Sequence, residues 1–416
     1  MARPLRIMID ARMLIGRFSG IGRFVTRLVE HLVDCPNIQV VALCGREATP
    51  GWLAWRGVDI VTSSFQRRDR TAARRALWEE RHLGRLIHDA HADVFHATWN
   101  SGVPVFCPVP AVLTIHDLIP WFHPAAHFAT RAQRLGYRYA IRASVRRAAI
   151  VTTVSDYVRH QVLSTLHPDP KRVVTVYNGV DAPASALDSP TGFGLREHET
   201  ATEAAEAAPY VLYVGGYERR KNLAAVFRAI EQYWATTDDV LDLRLTGDAC
   251  RLGADASLAY RALTHPSRVR FLGTIDDAEL SRQYAHARAL LLLSRDEGFG
   301  LPVLEAMAHG CPVVAAAKAS LPEIVSDAGI LVDPEDIPSV CAAIRSFVHS
   351  PRRREAFIHR GFARARAFGW DVTASRMIEI YERLGHGSTM ASGTLSTSDS
   401  SRSSHASTSI ANLVST

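Results

Sequence analysis

One rhythm constrains this chain more than any single residue: short β-branched and aliphatic runs alternate with stretches of helical periodicity, and the alternation occurs twice. The first series passes through Leu5–Ile9, Gln39–Leu43, Val94–His96, Ala111–Ile115, Ile150–Val154 and Val173–Val176. The second passes through Tyr210–Val214, Leu241–Thr246, Val269–Leu272, Ala289–Leu293, Pro312–Ala315 and Ile330–Val332. Such an alternation gives a mostly parallel sheet covered by helices. Between the series, residues 182–209 are rich in Pro, Ala and Glu and lack apolar periodicity, the composition of a linker. At 416 residues the chain is also too long for one ordinary core. The expected architecture is therefore α/β, with two doubly wound domains, residues 1–181 and 210–365, and a cleft between them. Arg352–Leu384 reads as amphipathic helix interrupted around Gly369. Residues 385–416 contain 16 Ser or Thr among 32, a composition expected to stay disordered.

Charge divides the chain. Residues 1–190 carry 24 Lys+Arg against 15 Asp+Glu, whereas residues 191–416 carry 24 against 27. Arg131, Arg134, Arg138, Arg142 and Arg146 recur at helical spacing, and Arg67, Arg68, Arg70, Arg74 and Arg75 form a second basic stretch. These fit either solvated helix faces or a surface for anionic lipid or diphosphate. Nucleic acid is disfavoured, because the arginine stretches lack the series of interleaved aromatic residues that a stacking platform requires. The six cysteines are scattered without a C-x-x-C pair, so neither a disulfide framework nor a zinc site is expected, and a cytoplasmic location fits. The first residues lack the long apolar core of a signal peptide, and the longest aliphatic run, Ala289–Leu293, is far below a membrane span. A soluble or peripheral protein is expected.

Residues able to do chemistry gather where strands end. Glu297-Gly298-Phe299-Gly300-Leu301-Pro302-Val303-Leu304-Glu305 follows the apolar run Leu290–Leu293 and leads into a helical stretch, Pro302–His309. That order puts Gly298, Phe299 and Gly300 at the carboxyl end of a parallel strand, where α/β sheets bind ligands. Glycines permit close backbone approach, and free N–H groups at a helix start favour an anion such as a diphosphate. Glu305 falls inside the helix, able to accept hydrogen bonds from two ribose hydroxyls, and Glu297 precedes the turn, able to point at a sugar. A lone acid near a helix N-terminus is also simply favourable there. At the start of the second series, Gly215 and Gly216 lead into Glu218-Arg219-Arg220-Lys221-Asn222. Cations beside a glycine turn at a strand end suit a departing diphosphate.

The first series ends its strands on different chemistry. His116 follows Ala111–Ile115 directly, at the cleft edge, with Asp117 placed either to orient its ring or to make a turn. Ser155 follows Ile150–Val154 and suits equally a cleft contact and a helix N-cap. The loop Gly16-Arg-Phe-Ser-Gly20-Ile-Gly22-Arg23-Phe24 lacks G-x-G-x-x-G spacing and a convincingly placed ribose acid, so a phosphate or acceptor contact is preferred over a dinucleotide site.

Taken in order, these segments resemble the retaining GT-B glycosyltransferases of family 4, the glycosyl transferases group 1, which include bacterial mannosyltransferases. The resemblance covers about Leu5 to Leu384 apart from the linker. It implies two Rossmann-like domains facing a cleft, with residues 366–384 forming a helix that crosses back onto the first. It implies Glu297 at the donor sugar, Glu305 on the nucleotide ribose, and Arg220 and Lys221 on the diphosphate. Gly216 stands where many members carry a further arginine, which leaves the division between Arg219 and Arg220 open. His116 is expected near the transferred sugar and catalytic together with Glu297 and Lys221. Substrate contacts are expected from Arg220, Glu305, Gly298, Phe299, Gly300, Leu301, Gly22, Arg23, Ser155 and Gly215.

The reaction implied is transfer of a hexose, mannose from GDP-mannose being favoured over UDP-glucose, UDP-galactose or a dTDP-sugar. The implied acceptor is a glycan or lipid-linked sugar for surface polysaccharide at the inner membrane face, with an anionic membrane as a further partner. No metal or other cofactor is expected, for there is no D-x-D tract or His/acid cluster with ligand spacing. A sugar-nucleotide epimerase or phosphorylase lacks the ordered pair of motifs. A non-catalytic sugar-nucleotide-binding subunit is disfavoured by intact Glu297, Lys221 and His116.

Overall fold

The computed structural model describes residues 3–12, 14, 20–45, 57–63, 82–181 and 208–385. The second basic stretch, the glycine at position 16, nearly all of the linker and the Ser/Thr-rich tail lie outside the described residues. Seven parallel strands form the first sheet: β1 (Leu5–Asp10), β2 (Ile38–Cys44), β3 (Val58–Thr62), β4 (Val94–Ala97), β5 (Ala111–Ile115), β6 (Ile150–Thr153) and β7 (Val173–Thr175). Their order is β3-β2-β1-β4-β5-β6-β7. Six parallel strands form the second: β8 (Tyr210–Tyr213), β9 (Asp242–Leu245), β10 (Val269–Phe271), β11 (Ala289–Leu292), β12 (Val313–Ala316) and β13 (Ile330–Val332). Their order, β10-β9-β8-β11-β12-β13, repeats the first sheet's logic. Each sheet reverses its winding once, between β1 and β4 and between β8 and β11, and a crevice opens at the carboxyl ends there.

The central strands of the second sheet are apolar on both faces because helices cover both; β11 is Ala-Leu-Leu-Leu and β12 Val-Val-Ala-Ala, with every residue buried. β3 escaped the sequence reading for the converse reason. It is an edge strand, Val-Asp-Ile-Val-Thr, with no residue fully buried, so it leaves no apolar run to detect. The helix Gly20–Val33 buries Phe24, Val25, Leu28, Val29 and Leu32, one stripe at helical spacing, against the first sheet.

The stretch read as interrupted amphipathic helix is two helices, Pro351–Arg366 and Trp370–Gly385. The second buries Trp370, Ala374, Met377, Ile380 and Tyr381 in the same cluster as Leu5, Ile7 and Phe24 of the first sheet's core. The Tyr381 hydroxyl reaches the ring of fully buried His96 at 2.6 Å, and the other ring nitrogen of His96 meets Thr114 at 2.7 Å. Two chain passages therefore run side by side between the sheets, where Val180 pairs with Gly369 and the Val180 N–H donates to Phe368 at 2.8 Å. Gly179 lies so close to Trp370 that a Cβ would collide with the indole and its backbone, so the crossing demands glycine.

Candidate active site in the interdomain cleft

The second-domain wall is ionic. After β8 the chain passes Gly215, whose N–H donates to Thr246 Oγ1 at 3.3 Å, and makes one 3-10 turn, Arg219–Lys221. Asn222, at φ 54°, then redirects it into the helix Leu223–Thr236. The turn aims Lys221 at the end of β11: its Nζ donates to Glu297 Oε1 at 2.6 Å, and Arg220 reaches Glu297 Oε2 at 3.3 Å and the Asp296 carbonyl at 3.1 Å. The Ser294 hydroxyl also donates to Oε1, at 2.8 Å. Lys221 and Glu297 are both buried. Burial alone would raise the Glu297 carboxyl, but the charges of Lys221 and Arg220 and the hydrogen bonds from Lys221 and Ser294 outweigh it and hold the carboxyl below its ordinary value. Arg219, left open by the sequence, points elsewhere and pairs with exposed Asp255 at 3.3 Å.

The turn after Glu297 is pinned by hydroxyls. Ser320 Oγ donates to the carbonyls of Glu297 and Phe299 at 3.0 and 2.9 Å. Gly300, at φ 99°, begins the helix Leu301–Ala308 from the left-handed region, which explains glycine there. Phe299 was expected among the substrate contacts. Its ring is instead buried against Tyr177 and Phe368, because an aromatic face gains more from that apolar junction than from a polar cleft, and only its backbone belongs to the turn. Glu305 sits one turn into the helix and accepts a hydrogen bond from buried Tyr284 Oη at 2.9 Å.

Around His116 the first-domain wall is built mostly from neutral groups. Thr98, anchored by its hydroxyl on the Asp10 carbonyl at 2.5 Å, offers its own carbonyl to His116 Nε2 at 2.8 Å. A carbonyl only accepts, so Nε2 carries the proton and Nδ1 is the basic nitrogen. Burial lowers the His116 pKa to about 4, against a smaller opposing effect of the Thr98 hydrogen bond, so the ring is neutral near pH 7. Asp117 does not orient that ring. Its Oδ1 accepts the Ile119 N–H at 3.0 Å, which resolves the open choice in favour of the turn. Asn100 completes the corner, accepting from the His116 N–H at 2.9 Å and donating to the Asp117 carbonyl at 2.8 Å.

The two walls touch. Gly298 lies against the His116 carbonyl, where a Cβ would collide with the oxygen. Of the roles open to it, fully buried Ser155 takes the cap, its Oγ accepting the Val158 N–H at the start of the helix Asp156–Leu166 at 3.2 Å, and its proton goes to the Gly298 carbonyl of the facing wall at 2.6 Å. Beside it Glu323 of the second domain accepts the N–H groups of Asp156 and Tyr157 at 3.0 and 2.9 Å. Asp296 accepts from Tyr157 Oη and meets His123 Nε2, both at 3.2 Å. Gly22 is buried in the helix Gly20–Val33, and Leu301 lies beside Gly20. Arg23, expected on a phosphate or acceptor, ion-pairs with Glu305 across the cleft. Sequence reasoning missed Asp296, His123, Tyr157, Glu323, Tyr284, Thr98 and Asn100, whose partners come from other elements of the chain and leave no local spacing signal.

Among the described residues, no group of three or more His, Cys, Asp or Glu is arranged to hold a metal ion, and no helix is long and apolar enough to cross a membrane.

Two family models match the chain: Glycosyltransferase Family 4 over residues 18–182 and Glycosyl transferases group 1 over residues 196–364. O-antigen chain mannosyltransferase B of Escherichia coli is 30% identical over 283 residues, 66% of this chain and 70% of that protein. Sucrose-phosphate synthase from Thermosynechococcus elongatus superposes with a TM-score of 0.68 at 20% identity, covering 92% of this chain and 100% of its own. Anabaena HepE in complex with UDP-glucose gives 0.67 at 19%, covering 91% and 100%. At such identities the structural likeness speaks for the fold.

Proposed function

The chain belongs to glycosyltransferase family 4 and is a glycosyltransferase of the GT-B fold, and from that premise we propose that it transfers mannose from GDP-mannose, with retention of configuration, to a lipid-linked or polysaccharide acceptor in surface polysaccharide assembly. The observation that carries this reading is the Lys221–Glu297–Arg220 cluster facing His116 across Gly298. Two cations share one carboxylate there, and the start of the helix Leu301–Ala308 adds about half a positive charge, so the wall favours an anion. The diphosphate of the donor binds against it, its ribose on Glu305 and its sugar beside Glu297 and His116.

In the transfer, an acceptor hydroxyl oxygen forms a bond to the anomeric carbon on the face that the phosphate leaves. The carbon–oxygen bond to phosphate breaks with its electron pair, and the acceptor proton passes to the departing phosphate oxygen. Lys221 and Arg220 stabilise the charge that grows there, the task a metal ion performs elsewhere. Neutral His116, with Nδ1 as acceptor, takes a hydrogen bond from a hydroxyl of the transferred sugar. The mannose is drawn from the likeness to the Escherichia coli O-antigen chain mannosyltransferase B.

A membrane-borne acceptor suits the first domain's surface. The helix Arg131–Arg147 carries six arginines and no acid, and two large apolar residues within it, Leu135 and Tyr139, are exposed. Arginines and exposed apolar side chains on one helix suit the anionic surface of the inner membrane leaflet.

Nucleoside diphosphate release from a panel of GDP-, UDP- and dTDP-sugars, with a chelator present, tests the reading. Turnover of GDP-mannose with the chelator present supports it. Release from a UDP-sugar alone would replace the donor, and loss of turnover on chelation would overturn metal independence.

A further inference from the structure

Glu305 has both carboxylate oxygens engaged, by partners from opposite sides of the cleft. Oε2 accepts the hydroxyl of Tyr284, and Oε1 accepts a guanidinium N–H of Arg23. The two partners differ in their freedom to leave. Tyr284 is 1% exposed, belongs to the core and stacks on His309, and burial together with the Glu305 charge raises its pKa well above the ordinary value, so it stays a donor. Arg23 has a side chain 31% exposed, and its other nitrogen reaches only the exposed Asp277, at 3.4 Å. Withdrawing Tyr284 would open a packed core; withdrawing Arg23 requires rotation of one long side chain at the cleft mouth.

The start of the first domain's helix holds Arg23 in place. Gly20 lies against Leu301, where an added Cβ would meet Cδ1 at 3.5 Å, so the beginnings of the helices Gly20–Val33 and Leu301–Ala308 abut and Arg23 and Glu305 stand within reach. A ribose diol binding a carboxylate in the bidentate manner needs an acceptor position on each oxygen. Tyr284 occupies only part of the capacity of Oε2, whereas the guanidinium at Oε1 comes from the first domain and blocks approach across the cleft.

We propose that Arg23 is a positioning residue that occupies Glu305 and is displaced from it by the ribose of an incoming nucleotide, so that the first domain and the donor compete for one carboxylate. The proposal rests on the reading of Glu305 as the ribose acceptor. Its consequence is a donor affinity set below what the second domain alone would give, by the small factor expected for a partly exposed ion pair. Displacement also releases one of the ties between the walls, which links donor entry to their separation at that point.

Calorimetric titration of GDP, UDP and their 2′,3′-dideoxy counterparts into the wild-type protein and into Arg23→Ala tests the proposal, with Arg23→Gln as a second variant that keeps the side chain's length closer. Wild type is expected to prefer the ribonucleotide. Both variants are expected to tighten ribonucleotide binding about three- to fivefold while leaving the dideoxy form unchanged, because only the ribose competes with Arg23. Weaker binding of both forms would make Arg23 a phosphate ligand and overturn the proposal, as would no change in either. If wild type does not distinguish ribo from dideoxy forms, the Glu305 reading itself fails and the proposal falls with it.

Discussion

The two walls of the cleft come from the same strand–turn–helix unit, used repeatedly in each sheet, yet they reach different electrostatic solutions. The second-domain wall concentrates charge: buried Lys221 and Glu297 and half-buried Arg220 form a mutually satisfied cluster. Around His116 the first-domain wall presents groups held neutral, with His116 kept unprotonated by burial and Ser155 spanning the divide through its hydroxyl, while Arg23 at its edge carries a charge to Glu305. The lesson is a division of labour. On the proposed function, the charges that would stabilise a diphosphate are preorganised in one wall, while the surroundings of His116 in the other stay neutral.

The contrast breaks most severely if the charge is removed from the ionic wall. Lys221→Met leaves the buried Glu297 with Arg220 alone, and turnover is expected to fall by about a thousandfold. Stability should fall by about 3 kcal/mol as well, the usual cost of orphaning one member of a buried pair. Steady-state kinetics beside denaturant unfolding separates the two effects. A turnover within tenfold of wild type would remove Lys221 from the chemistry.

The neutral wall leaves its mark on pH. His116 has its pKa lowered to about 4 and His96, beneath it, to about 3, in both cases chiefly by burial. A lowered histidine pKa means the unfolded chain binds protons that the native protein refuses, so stability is full above the unfolded value near 6.5 and is lost as pH falls toward 4. Each ring contributes a slope approaching about 1.4 kcal/mol per pH unit in that window. Glu297, held low, adds its own loss only below the ordinary carboxylate range. Unfolding free energies measured from pH 7 to 5 should show the slope, and His116→Gln should remove about half of it; an unchanged slope would mean the ring is not buried neutral.

Contact between the walls can be broken sterically. In Gly298→Ala the new methyl group meets the His116 carbonyl, which should cost about 2 kcal/mol and lower turnover while the donor affinity of the second wall is retained. The smallest expected effect is that of Ser155→Ala, about 1 kcal/mol, since it removes one helix cap and one hydrogen bond to Gly298. A thermal melt of each variant reads these losses, and a Gly298→Ala protein as stable and active as wild type would mean that the walls do not meet there.

The ionic wall was legible in the sequence because its residues lie in two contiguous motifs that each follow a buried apolar strand. Lys221 and Glu297 could be named before their 2.6 Å contact was known. The neutral wall was legible only at single positions. The residues that hold His116, Thr98 and Asn100, follow another strand, and the Asp296 carboxylate meets His123 at a separation of 173 residues. Periodicity reveals which face of an element is buried, but not which loops of two separate sheets converge. Phe299 shows the same limit, for a motif position expected on the ligand gives its ring to the junction with Tyr177 and Phe368. Arg23 shows it again, since its partner Glu305 lies in the other domain.

The division between a wall that holds the donor and a wall that serves the transfer is tested most directly by one titration series: GDP and UDP into the wild-type protein, Glu305→Ala and His116→Gln, each followed by turnover with the donor that wild type uses. The expected result is nucleotide binding weakened at least about tenfold in Glu305→Ala, a loss of about 1.4 kcal/mol, and retained within about twofold in His116→Gln, whose turnover nonetheless collapses. Binding lost with His116 and kept without Glu305 would contradict the account.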